Sequence, residues 1–158
     1  MAYCSRKSTR LPGYDYSRNN YYFVTICTHN KSCIFGTIKQ LNKIGEIAKF
    51  EMNEIASRYQ GVYIDNFIIM PNHVHAIVVI EYDNKEGKKP CLDNIIGLYK
   101  SGVSRKIRKI QPDMRVWQRS FHDHIIRNQH EYEQIWRYVQ YNDQKWETDC
   151  FYCKADVY

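Results

Sequence analysis

An α+β domain built on a four-stranded antiparallel sheet is predicted by three observations. Four runs rich in aromatic and β-branched residues alternate with stretches whose apolar residues recur every three to four positions. Their order is strand, helix, strand, strand, helix, strand, helix. The chain, 158 residues and 44% hydrophobic, has the length for one core and is short for two. A split β-α-β order of this kind implies a ferredoxin-like sheet with helices on one face, followed by one more C-terminal helix.

Residues 1–20 are polar and basic, with Pro12-Gly13 and Asn19-Asn20 as breakers, and read as an extended arm of the kind that touches a partner. Residues 21–28 (YYFVTICT) form a central strand. From Leu41 onward Ile44, Ala48, Met52, Ile55 and Tyr59 place one apolar face on a helix ending near Gly61, with Lys43, Glu46, Lys49, Glu51 and Glu54 on its outside. Residues 62–70 and 74–82 are two strands joined at Pro71-Asn72, hence antiparallel neighbours. A charged loop covers 83–90, and 92–110 is a helix through Ile95, Leu98, Val103 and Ile107. Residues 116–127 turn into a fourth strand, and 131–145 form a last helix with Ile135 and Val139 inward.

The net charge of +6 favours polyanionic partners, nucleic acid first. No apolar run reaches membrane-spanning length and residues 1–10 hold no apolar leader, so a cytoplasmic protein is expected. Six scattered cysteines then read as reduced thiols, and Cys150-x-x-Cys153 lacks the second half of a zinc motif. On the 92–110 helix, Lys100, Arg105, Lys106, Arg108 and Lys109 lie within ten residues with no acidic neighbour, a stripe suited to phosphate contact.

The chemistry centres on residues 66–80 (NFIIMPNHVHAIVVI), an apolar strand carrying two histidines. Alternation puts His73, His75 and Ile77 on one face and Val74, Ala76 and Val78 on the other. Two imidazoles side by side can converge on one metal ion if a further ligand comes from elsewhere in the fold. On the last helix Tyr138 and Asn142 stand one turn apart and project to the same side, offering a nucleophile and a third ligand. Tyr141 is the nearest rival nucleophile.

Three ordered motifs, MPNHVH at 70–75, Trp117-Gln-x-x-Phe-x-Asp-His-x-Ile-Arg-Asn128 and Tyr138-Val-Gln-Tyr-Asn142, resemble the one-tyrosine (IS200-like) transposases of the HUH endonuclease superfamily, above all the REP-associated tyrosine transposases. The resemblance spans nearly the whole chain. It implies Tyr138 as nucleophile on a C-terminal catalytic helix, and a divalent ion, Mg2+ or Mn2+, held by His73, His75 and Asn142. It also implies a single-stranded DNA hairpin as partner, cleaved and rejoined through a 5′-phosphotyrosine. Lys100, Arg105, Lys106, Arg108, Lys109, Arg119 and Arg127 are the residues expected to meet DNA, and a homodimer is left open. Two features depart from the pattern. Asp143 stands where proline is usual, so either the helix runs on or Asp143 competes as a ligand; and His122-x-His124 forms a second pair, whose His124 is read as supporting or structural. Other classes remain: a non-catalytic RNA- or DNA-binding ferredoxin-like module stacking bases on Tyr21, Tyr22 and Phe23, a hydrolytic metal nuclease that needs no tyrosine, and an inactive domesticated transposase.

Overall fold

The computed structural model describes residues 10–83, 87 and 89–152. Strand β1 (Asn20–Cys27) leads through a 3-10 turn at His29–Lys31 to helix α1 (Lys43–Asn53) and the short helix α2 (Ile55–Arg58). Then come β2 (Val62–Ile69), β3 (His73–Ile80), helix α3 (Leu92–Arg108), β4 (His122–Ile126) and helix α4 (Gln129–Gln140). The strands make one antiparallel sheet in the order β2-β3-β1-β4, so the expected α+β architecture is the one observed.

Both faces of this sheet are covered. Tyr22, Val24 and Ile26 of β1 and Val74, Ala76, Val78 and Ile80 of β3 pack against α1 and α3. Phe23, Ile77 and Val79 face the other way, onto Ile135 and Val139 of α4. Every residue of β3 is therefore buried, which explains a run with no polar face apart from its histidines. Tyr22 and Phe23 are core residues and Tyr21 packs on Tyr132 of α4, so the sheet offers no open stacking platform to nucleic acid.

The predicted elements differ from the observed ones mainly at their ends. The helix expected up to Gly61 is interrupted at Glu54 into α1 and α2. Gly61 follows with φ +73, and a Cβ there would meet the Glu81 carbonyl oxygen at 2.8 Å, so only glycine fits the entry to β2. Leu98, expected to face inward, is 54% exposed; Ile95, Ile96, Tyr99 and Val103 form the buried stripe instead. The helix expected over 131–145 runs from Gln129 to Gln140, capped by the Asn128 side chain on Glu131 N, and gives way to a 3-10 segment at Asn142–Thr148. Residues 10–19 do not extend outward: Tyr16 is buried, its carbonyl accepts from Leu92 N, and Arg10 pairs with Asp93. Residues 1–9 of the expected arm, residues 84–86 and 88 of the 83–90 loop, and Cys153 lie outside the described residues. Cys27 and Cys91 are free thiols, whereas Cys150 is disulfide-bonded, a departure from the expected reduced thiols.

Glu51 is the larger correction. Placed outside by its spacing, it is fully buried between α1 and α3, where Arg58 Nη1 reaches its Oε2 at 2.6 Å and Lys106 Nζ its Oε1 at 2.5 Å. Gly102 leaves the room, since a Cβ there would run into the carboxylate. Burial pushes the Glu51 pKa up, but the two cationic partners outweigh it and hold it below the ordinary value. A depressed carboxylate pKa stabilises the fold above the unfolded-state value and is lost as pH falls through the folded one. Replacing Glu51 by Gln is expected to lower stability at pH 7 by about 2 kcal/mol, the scale of a lost charged hydrogen bond. The gap from the wild type should narrow below about pH 4, where the unfolded-state carboxylate protonates, and close once the pH passes below the depressed folded value. Thermal unfolding at both pH values checks it, and a gap independent of pH would show that shape, not charge, matters.

Candidate active site

His73 and His75 leave β3 on the α4 side of the sheet, with Thr25 of β1 paired to His75 and Cys27 to His73. Both imidazoles are buried, and their Nε2 atoms lie 3.1 Å apart. Two nitrogens bound to one ion at about 2.1 Å would be separated by about 3.0–3.4 Å at octahedral to tetrahedral angles, so the pair has the spacing of a shared ligand set. Burial drives the His73 pKa down to about 3, against the raising effect of a hydrogen bond the ring can donate to Asn142, and holds His75 well below the histidine norm. Both rings are thus neutral at any physiological pH, the form in which imidazole donates a lone pair.

Three further groups converge on the pair. The Tyr138 hydroxyl lies 3.5 Å from His75 Nε2, its ring braced edge-on by Phe23 at 6.0 Å. Asn142 is 1% exposed beside His73, and neither its amide oxygen nor its nitrogen has a hydrogen bond of proper geometry. An amide buried with only loose contacts to His73 and Asp149 is expensive, which fits an oxygen available to a ligand. Asp149 completes the cluster: ligand atoms of His73, His75 and Asp149 lie within 4.8 Å of one another. Burial raises the Asp149 pKa, opposed by hydrogen bonds from Phe151 N and Asn142. The donor set therefore offers two imidazoles, a carboxylate and an amide, which suits a divalent cation.

Asn142 reaches the site by an unexpected path. The helix stops at Gln140, Tyr141 takes the cap position, and the tighter 3-10 turn swings Asn142 inward. Asp143, the alternative ligand, is exposed, with its Oδ1 accepting from Gln144 N; the helix neither runs on nor delivers that acid to the histidines. Tyr141 is 49% exposed. Phe151 lies against His73 with ring centroids 4.6 Å apart and Trp146 at 6.1 Å, so the segment after α4 roofs the pair.

Polar anchors hold α4, and with it Tyr138, on the sheet. His124 Nε2 meets Glu131 Oε1 at 2.5 Å, Tyr132 donates to Asp65 Oδ2 at 2.6 Å, and Asn66 Nδ2 donates to the Trp136 carbonyl at 3.2 Å. A β-bulge between Ile64 and Asn66 turns both β2 residues toward the helix. His124 thus supports the helix and is not part of the histidine cluster.

The basic residues fall elsewhere. Lys100 Nζ donates to the Gln118 and Ser120 carbonyls, both at 2.8 Å, and Lys106 is committed to Glu51. Arg105, Arg108 and Lys109 are exposed on α3, across the sheet from the histidines, and Arg119 and Arg127 are exposed near the two ends of β4.

The family described as "Transposase IS200 like" matches residues 15–142. The chain belongs to this family. The matched span of this IS200-like chain contains His73, His75, Tyr138 and Asn142, whereas Asp149 lies beyond it. An uncharacterised protein of Haemophilus influenzae is 36% identical over 167 aligned positions, covering 93% of each chain. Among solved structures, a REP-associated tyrosine transposase bound to a REP hairpin superposes on this IS200-like fold with a TM-score of 0.58 at 18% identity, covering 87% of this chain and 73% of its own. A candidate transposase of Deinococcus radiodurans R1 gives a TM-score of 0.52 at 15% identity, covering 84% of this chain and 95% of its own. At such identities the likeness concerns the fold. No helix among the described residues is long and apolar enough to cross a membrane.

Proposed function

We propose that this transposase cuts and rejoins single-stranded DNA beside a hairpin through a 5′-phosphotyrosine bond on Tyr138, with a divalent ion at His73, His75, Asp149 and Asn142. The observation that supports the reading most is the 3.5 Å approach of the Tyr138 hydroxyl to His75 Nε2, a candidate nucleophile beside a candidate ligand cluster. A phenol, with a pKa of about 10, attacks poorly at neutral pH. When bound, the ion supplies Lewis acidity that polarises the scissile phosphate. His73 and His75 fix its position, and α4, anchored through Asp65, Asn66 and His124, aims the tyrosine. Attack forms the tyrosine O–P bond, breaks the P–O3′ bond and leaves a 3′-hydroxyl. A later 3′-hydroxyl can reverse the step, so strand transfer follows without a new energy source. Mg2+ or Mn2+ would serve; imidazole donors favour the softer Mn2+, since Mg2+ prefers oxygen ligands.

Incubation with Mn2+ and a hairpin oligonucleotide carrying a single-stranded flank tests the reading. The label at the 3′ end of the cut strand should stay on the denatured protein while the 5′ label is released. A hydrolytic nuclease would release both.

The exposed Arg105, Arg108 and Lys109 on one side, with Arg119 and Arg127 near β4, are proposed to neutralise the DNA backbone. Replacing Arg105, Arg108 and Lys109 together by Gln should weaken binding to all sequences alike and flatten the plot of log K against log salt by about 2 to 3, near one unit per lost phosphate contact. An unchanged slope would return the stripe to a solubility role. Lys100 and Lys106 are left out of this set because their ammonium groups are engaged within the fold.

A further inference from the structure

We infer that Asn72 is a positioning residue that fixes the tautomer of His73, while Thr25 leaves His75 free to switch; this rests on the metal reading above. Asn72 is fully buried in the tight connection between β2 and β3. Its amide nitrogen donates to the Lys31 carbonyl at 3.1 Å and to the Phe151 carbonyl at 2.8 Å. Carbonyls only accept, so the amide cannot be turned the other way round. Its oxygen must then be the atom 2.8 Å from His73 Nδ1, and that nitrogen must carry the proton. With the proton on Nδ1, the neutral ring presents its Nε2 lone pair toward His75 and the ligand cluster. The orientation is enforced by two backbone carbonyls from distant parts of the chain, one of them in a turn where Asn30 and Lys31 both hold positive φ.

His75 has a different partner. Thr25 Oγ1 lies 2.8 Å from His75 Nδ1, and a hydroxyl either donates or accepts. Taken as hydrogen bonds, the three contacts close consistently in one direction: Thr25 O–H to His75 Nδ1, His75 Nε2–H to His73 Nε2, His73 Nδ1–H to Asn72 Oδ1. For His75 to become a ligand, its proton moves from Nε2 to Nδ1 and the Thr25 hydroxyl turns from donor to acceptor, with no change of net charge. His73 is thus ready in advance, and His75 is the ring that adapts.

Long-range 1H–15N spectra of the histidine rings read this directly, without DNA or turnover. The metal-free wild type should show His73 protonated at Nδ1 and His75 at Nε2; a Zn2+-loaded sample, used as a diamagnetic probe, should show both at Nδ1. Asn72→Ala removes the acceptor and should let the His73 tautomer mix and weaken Zn2+ binding about 10- to 100-fold, the usual loss when a ligand's supporting partner is removed. His73 protonated at Nε2 in the wild type, or a His73 tautomer and Zn2+ affinity unchanged in Asn72→Ala, would overturn the inference. Should Asn72→Ala fail to fold, the wild-type tautomers, metal-free and Zn2+-loaded, decide it alone. A wild type with the stated metal-free tautomers that binds no ion would instead overturn the metal reading.

Discussion

Replacing Tyr138 by Phe is expected to abolish the covalent protein–DNA adduct, a loss of at least about a thousandfold for removal of a nucleophile, while leaving hairpin binding and thermal stability nearly unchanged. The substitution deletes one hydroxyl. The ring keeps its packing on Phe23 and His75. Tyr141→Phe is the matched control: its side chain is 49% exposed, and adduct formation should persist. Mass spectrometry of the digested complex locates the modified peptide, and nucleotide on Tyr141, or an adduct surviving in Tyr138→Phe, would sink the assignment.

Much of the site could be read in the chain because strand alternation is a strong constraint. His73 and His75 had to share a face of β3, and the register with β1 carries that face onto Phe23 and α4. Tyr138 and Asn142 were read as a helical pair, and both do flank the histidines, although Asn142 arrives through a 3-10 turn. That turn follows from a helix end at Gln140, and the residues there carry no glycine or proline to announce it. Asp149 was illegible for a related reason: it lies past the last periodic element, where only the return of the chain over His73 brings it close.

Residues with two credible roles were the ones misplaced. Glu51 sits at a position that helical spacing reads as outer, yet the neighbouring Gly102 opens a space and Arg58 with Lys106 supplies the charge. The same pairing removes Lys106 from the basic stripe, and backbone carbonyls remove Lys100. Long cationic side chains cannot be assigned to solvent from spacing alone, because their heads reach partners a full turn or an element away. Asn72 was read as a turn residue, which it is; its second role depends on the Phe151 carbonyl, 79 positions later, and no local pattern encodes that.

Simultaneous His73→Ala and His75→Ala substitution should remove specific Mn2+ binding and with it the adduct. Each imidazole supplies one ligand atom, and without them the cluster retains only the Asp149 carboxylate and the Asn142 amide, too few to hold an ion in place. The fold should survive, since the two rings are neutral and the rest of β3 and its neighbours remains apolar. A cost of about 2 to 4 kcal/mol is expected from the cavity and from the stranded Asn72 and Thr25 partners. Asp149→Asn tests the remaining ligand separately. If the carboxylate binds the ion, Mn2+ affinity should fall about 10- to 100-fold, whereas if Asn142 alone completes the site the affinity should hold. Titration calorimetry on the three proteins decides between these, and equal Mn2+ binding by the wild type and the double variant would place the ion elsewhere. His122 would then be the next suspect: it lies on the same face of the sheet, beyond Thr25 in the row that contains His75.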